Sequence, residues 1–147
     1  MEAKPYRILL VCTGNTCRSP MAEALAIDLL KDHPGAAVSS AGVYASDGGA
    51  ASAEAVAVMA KRGLDLSGHR SRLLTAEMVA AADGIYTMTA SHRRAVVQAF
   101  PEAELKTQRL LDQEDIADPI GGPESAYAET AAQIERGLRE RFTEASA

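Results

Sequence analysis

The 147-residue chain has no tryptophan, two cysteines and three histidines, and each scarcity closes off a reading. Two cysteines in one short loop cannot staple distant parts of a secreted chain, so no disulfide framework is expected. Nor do they form ligand pairs with the scattered histidines, so no zinc or other metal and no cofactor is expected, and His33 and His92 are expected at the surface. Positive charge is outnumbered as well. Fifteen Lys and Arg against 20 Asp and Glu leave a net charge of −5, opposite in sign to the footprint of a nucleic-acid binder, so nucleic acid is not expected as a partner. No apolar run reaches the length of a membrane span and no targeting segment is recognisable, which points to a cytoplasmic protein with no membrane partner. What remains is 47% hydrophobic and 24% charged, ordinary values that exclude a disordered or low-complexity chain. The length suits a single domain spanning residues 1–147.

Along the chain, strand-like and helix-like segments alternate. Arg7 to Cys12 is a nearly continuous apolar run, as expected of a strand buried on both faces of a parallel sheet. Ser19 then offers an N-cap and Pro20 a first helical position, and Leu25 and Leu29 recur one turn apart before Pro34 and Gly35. A second strand is expected over Ala36 to Ala41, followed after Gly48 and Gly49 by a helix over Ser52 to Lys61 that Gly63 stops. Further expectations are a short helix over Thr75 to Ala82, a strand over Gly84 to Met88 and a helix over Ser91 to Phe100. A strand over Lys106 to Leu111 and a last helix with the apolar stripe Tyr127, Ala131, Ile134, Leu138 and Phe142 complete the series. This rhythm predicts an α/β fold, a four-stranded parallel sheet with helices on both faces. Such folds bind ligands beyond the C-terminal ends of their strands, so the first strand-to-helix loop is the place to look for chemistry.

That loop reads Cys12-Thr13-Gly14-Asn15-Thr16-Cys17-Arg18-Ser19-Pro20. A tight turn that opens a helix gathers backbone N–H groups into one concavity, which suits a phosphate-sized oxyanion. Thr13, Gly14, Asn15, Thr16, Cys17 and Arg18 would line this phosphate-binding loop. Gly14 is expected to supply positive φ and Asn15 to tolerate left-handed geometry. Arg18 adds a planar fork for two phosphoryl oxygens. Donors that hold an oxyanion would also hold the thiolate of Cys12, a nucleophile aimed at phosphorus. Attack would give a phosphocysteine intermediate for water to resolve. The reaction needs an acid for the leaving group, and Asp118 in a late Pro- and Gly-rich loop is the best placed, with Asp47, Asp112 and Asp115 as alternatives.

From Val11 to Pro20 the loop resembles the signature of the low-molecular-weight protein tyrosine phosphatase family. Ser39-Ser40-Ala41-Gly42, Gly63-Leu64-Asp65 before Ser67-Gly68-His69, and Asp118-Pro119 extend the resemblance over essentially the whole chain. The resemblance implies a metal-free hydrolase acting on phosphorylated proteins, with Cys12, Arg18 and Asp118 carrying catalysis. It further implies that Ser19 donates to the Cys12 thiolate, while Asn15, Ser40 and His69 support the loop; it sets no oligomeric state. Thr16 stands where tyrosine-directed members carry a bulkier aliphatic residue, and so resembles the protein arginine phosphatase branch. Ile120 after Asp118-Pro119, and the absence of tryptophan, leave few aromatic walls, Tyr44 being the nearest candidate. The lean is therefore to phosphoarginine over phosphotyrosine. Arsenate reduction is disfavoured because it needs more cysteines than Cys12 and Cys17. A silent phosphopeptide-binding module would need neither a thiolate nor an acid. Cys17 could trap an oxidised Cys12 as a disulfide or could be filler. Lys61, Arg62, Arg70, Arg72, Arg93 and Arg94 could form a basic rim, although solvated helix faces are the blander reading.

Overall fold

The computed structural model describes residues 6–142; the ends of the expected 1–147 domain lie outside them. Four strands, β1 (Tyr6–Cys12), β2 (Ala36–Gly42), β3 (Gly84–Thr87) and β4 (Thr107–Arg109), form one all-parallel sheet in the order β2-β1-β3-β4. The helices are α1 (Arg18–Leu29), α2 (Ala53–Lys61), α3 (Ala76–Ala81), α4 (Ala90–Ala99) and α5 (Glu124–Phe142), with a 3-10 turn over Pro101–Lys106.

β1 explains the layering. Its residues alternate between two cores: Ile8 and Leu10 pack with Met21, Leu25, Met59, Ile134 and Leu138, whereas Leu9 and Val11 pack with Val79, Ile85 and Val96. Since successive strand side chains point to opposite faces, an unbroken apolar run needs cover on both, and α1, α2 and α5 supply one layer while α3 and α4 supply the other. Burying each such Leu or Ile contributes roughly 1.5–3 kcal/mol. The α5 stripe falls where its spacing places it, with Tyr127, Ala131, Ile134 and Leu138 buried and Phe142 packed against the same core. Sheet order reverses between β1 and β3, so the loop leaving β1 opens at the switch point of the sheet.

Most element boundaries fall within one residue of the sequence reading, and two differ by more. β4 is shorter than Lys106 to Leu111, because Lys106 closes the 3-10 turn, donating from Nζ to the carbonyls of Val79 (2.6 Å) and Ala82 (2.7 Å). Leu110 and Leu111, both buried, follow the strand and pack into the core beneath α5. The second difference is at α1. The helix begins at Arg18 with Cys17 as its cap residue and no side-chain cap, so Ser19 lies inside the first turn with its hydroxyl turned elsewhere. Pro20 is tolerated there because first-turn N–H groups have no helical partner in any case.

Candidate active site

The loop from Cys12 to Ser19 is held from three sides. On the β2 side, Val43 N donates to Cys12 O (2.9 Å) and Tyr44 N to Thr13 O (3.0 Å). A Cβ built on Gly42 would sit 2.5 Å from Thr13 O and 2.9 Å from Asn15 N, so only glycine allows the strand to approach this closely. On the α2 side, Ser52 N donates to Thr16 O (2.9 Å). From the segment before α3, His69 Nε2 donates to Asn15 O (2.8 Å).

Asn15 is the keystone. It is the one non-glycine residue with positive φ, at 56°, among the described residues. Gly14 lacks positive φ, contrary to expectation; the turn puts its left-handed residue one place later, where an Asn side chain can also bond. The direction of that bonding follows from one unambiguous donor. Arg72 N donates to Asn15 Oδ1 (2.9 Å), which leaves Nδ2 to donate to Ser19 Oγ (2.7 Å) and Ser40 Oγ (2.9 Å). Ser40 passes its proton on to Glu23 Oε1 (2.5 Å). Ser19 Oγ, already accepting from Asn15, points its proton at Cys12 Sγ, 2.8 Å away. Asn15 N also donates to the same sulfur (3.3 Å). The buried sulfur therefore receives two hydrogen bonds whose polarity suits an anion. The backbone N–H groups of Gly14, Thr16 and Cys17 donate to no protein acceptor among the described residues, as a loop built to receive an oxyanion requires.

Arg18 reaches across from α1. Its Nη1 donates to Ile116 O (2.9 Å) and its Nη2 lies 3.6 Å from Asp118 Oδ2. Ile116 is fixed in turn by its N–H on Met88 O (2.8 Å), so the end of β3 sets the position of the guanidinium. The arginine is 5% exposed, whereas the Asp118 side chain is half-exposed, an arrangement that sets a half-exposed acid against a buried cation. The alternative carboxylates are engaged elsewhere: Asp115 caps α4 at Ala90 N (2.8 Å), Asp47 accepts from Leu73 N (2.8 Å), and Asp112 faces Gln113 and Arg141.

The remaining expected site residues fall in distinct places. Thr16 is half-buried, its hydroxyl over Gly14 and 3.8 Å from Cys17 Sγ. Cys17 turns away from the loop, with its sulfur 3.5 Å from Tyr127 Oη and 3.6 Å from Ser52 Oγ. Both cysteines are free. Tyr44 and Ile120 stand exposed. Of the six residues considered for a basic rim, Lys61 pairs with Glu124 and Arg62 with Glu135, Arg93, Arg72 and Arg70 donate to the Thr107, Ser40 and His69 carbonyls, and Arg94 is exposed. His92 is not a surface residue, being 6% exposed with Nε2 2.7 Å from Thr13 Oγ1; it sits in the first turn of α4, which packs on the sheet. Glu23 was also missed, and Arg72, considered only for the rim, instead holds Asn15 Oδ1 and the Ser40 carbonyl. Glu23 follows Ser19 by one helical turn, the spacing that puts two side chains on one face, and this was its available signal.

Comparison with known proteins gives a consistent picture. The family described as low molecular weight phosphotyrosine protein phosphatase matches residues 7–146. A protein-arginine-phosphatase from Geobacillus stearothermophilus is 45% identical over 136 residues, covering 89% of this chain and 90% of that protein. A probable low molecular weight protein-tyrosine-phosphatase, EpsP, from Ralstonia nicotianae is 41% identical over 133 residues, with 89% and 90% covered. Among solved structures, the YwlE arginine phosphatase, as a cysteine-to-serine mutant with a phosphorylated active site serine, superposes with a TM-score of 0.90 at 35% identity, covering 94% of each chain.

Proposed function

This chain belongs to the low molecular weight phosphotyrosine protein phosphatase family, and on that premise we propose that residues 1–147 form one catalytic domain that hydrolyses phosphoarginine on proteins in the cytoplasm. The carrying observation is the placement of Cys12 Sγ, held by the Ser19 hydroxyl and Asn15 N–H beside an Arg18 that also meets Asp118. The Cys12 thiolate attacks phosphorus and forms an S–P bond as the bond to the substrate side chain breaks. Asp118, as the acid, delivers its proton to the departing nitrogen. Arg18 and the N–H groups of the loop hold the equatorial oxygens while charge redistributes. Water then attacks the phosphocysteine, Asp118 takes its proton, and phosphate leaves with the thiolate restored. Thr13, Gly14, Asn15, Thr16 and Cys17 shape the cradle; Ser19, Ser40 and His69 support it.

Phosphoarginine is favoured by Thr16, whose hydroxyl lies over the loop where an aliphatic side chain would instead pack on a phenyl ring. The arginine-phosphatase relative supports the same choice. Exposed Tyr44, tied through its N–H to Thr13 O, is the feature that favours phosphotyrosine, since it could flank a ring at the rim. The test is phosphate release from matched phosphoarginine and phosphotyrosine peptides by wild type and Thr16→Ile. Wild type is expected to prefer phosphoarginine, and Thr16→Ile to shift the preference toward phosphotyrosine by about tenfold or more. A wild-type preference for phosphotyrosine overturns the substrate assignment and leaves the phosphocysteine reaction standing.

A further inference from the structure

His92 is a buried titratable group for which the reaction above has no use. Its Nδ1 is buried without a hydrogen-bond partner, and its Nε2 lies 2.7 Å from Thr13 Oγ1. Burial, followed by the Arg18 cation, pushes its pKa down to about 4 against the opposing pull of Asp115 and Asp118, so the ring is neutral near pH 7. A neutral ring carries one N–H. An orphaned buried N–H is rarer than an orphaned lone pair, which leaves the bare lone pair on Nδ1 and the proton on Nε2, donating to Thr13. Among the described residues Thr13 Oγ1 has no other partner, so its own proton stays available. Thr13 follows the nucleophile directly and is exposed. A phenylalanine or leucine at position 92 would fill the space without burying an unpaired nitrogen.

We propose that His92 is a positioning residue that aims the Thr13 hydroxyl as an additional hydrogen-bond donor to the phosphoryl group of the substrate. The inference rests on the phosphatase reading and deepens it on the side of the loop nearest α4. The imidazole orients the hydroxyl and does not itself touch substrate.

The experiment measures kcat and KM for phosphate release from a phosphoarginine peptide, with inorganic phosphate affinity measured separately by calorimetry. The variants are Thr13→Val, His92→Phe, the double variant and His92→Gln. Each of the first two is expected to lower kcat/KM about tenfold and to weaken phosphate binding several-fold. The double variant is expected to be no worse than either single, since both remove one donor. His92→Gln is expected to recover most of the loss, because its amide N–H reaches the position of ring Nε2. A merely structural role would move the melting temperature and leave these couplings absent. Thr13→Val with unchanged turnover and phosphate affinity overturns the proposal, as do losses that multiply in the double variant. Should His92→Phe fail to fold, Thr13→Val still decides, its side chain being exposed. Wild type that binds phosphate but hydrolyses neither the phosphoarginine peptide nor a matched phosphotyrosine peptide sinks the phosphatase reading instead, and the calorimetric arm still tests Thr13.

Discussion

Cys12 and Cys17 leave the same strand in the same loop, both buried and both free, yet the structure surrounds them differently. Cys12 receives a hydroxyl and a backbone N–H on its sulfur, with Arg18 anchored nearby. Cys17 turns under α1 toward Tyr127 and Ser52, where burial holds the Tyr127 phenol above its ordinary range. Burial alone therefore does not decide which groups meet a thiol. The difference lies in donors fixed by a relay running back through Asn15 to Arg72 and through Ser40 to Glu23, and Cys17 has no counterpart to it.

The sharpest way to break this comparison is to exchange the thiols for neighbours of similar size. Cys12→Ser is expected to lower kcat by at least about a thousandfold, as loss of a nucleophile does. Cys17→Ala is expected to act mainly through packing, lowering stability by about 1–2 kcal/mol with a far smaller fall in kcat. Steady-state kinetics beside urea denaturation separates the two, and equal kinetic damage from both variants would collapse the distinction. Gly42→Ala then probes the Cys12 side alone. Its Cβ would collide with Thr13 O and Asn15 N, so a loss of about 1–3 kcal/mol is expected together with reduced turnover. Wild-type stability and kinetics in this variant would show that the loop needs no close approach from β2. The smallest effect concerns pH. Because burial depresses His92 from 6.5 to about 4, the unfolded chain binds a proton there that the folded chain refuses. The neutral ring's contribution is present above pH 6.5 and is lost as pH falls toward 4. Urea midpoints at pH 7.5 and 4.5 are expected to drop further for wild type than for His92→Phe, and parallel drops would place the acid sensitivity elsewhere.

Much of this is legible in the sequence. The double-sided burial of β1, the stripe of α5 and the stop at Gly63, which has a φ of +79°, follow from local pattern, because each is fixed by periodicity or by one residue's backbone freedom. The cradle was legible for a similar reason: strand, tight loop and helix N-terminus are contiguous, so the sequence puts Cys12 and Arg18 on one loop, although distant segments fix their side chains. Asp118 could be ranked first as the acid, but position alone did not exclude Asp47, Asp112 and Asp115, which the structure assigns to a strand-edge loop, a side-chain cluster and a helix cap. The Gly14 expectation erred because two adjacent residues could each serve the turn, and only the closed network shows that Asn15 must.

By itself, then, the sequence determined the α/β layering, the position of the loop from Cys12 to Ser19 and the cysteine proposed as nucleophile, since these depend on residues near one another in the chain. Tertiary structure alone decided which hydrogen bonds reach each thiol, which carboxylate stands beside Arg18, and that His92 is buried against Thr13 rather than left in solvent. Those outcomes depend on contacts between segments separated by tens of residues. Hydrogen-bond polarity along such contacts is set by the packing of whole elements, and no local pattern encodes it.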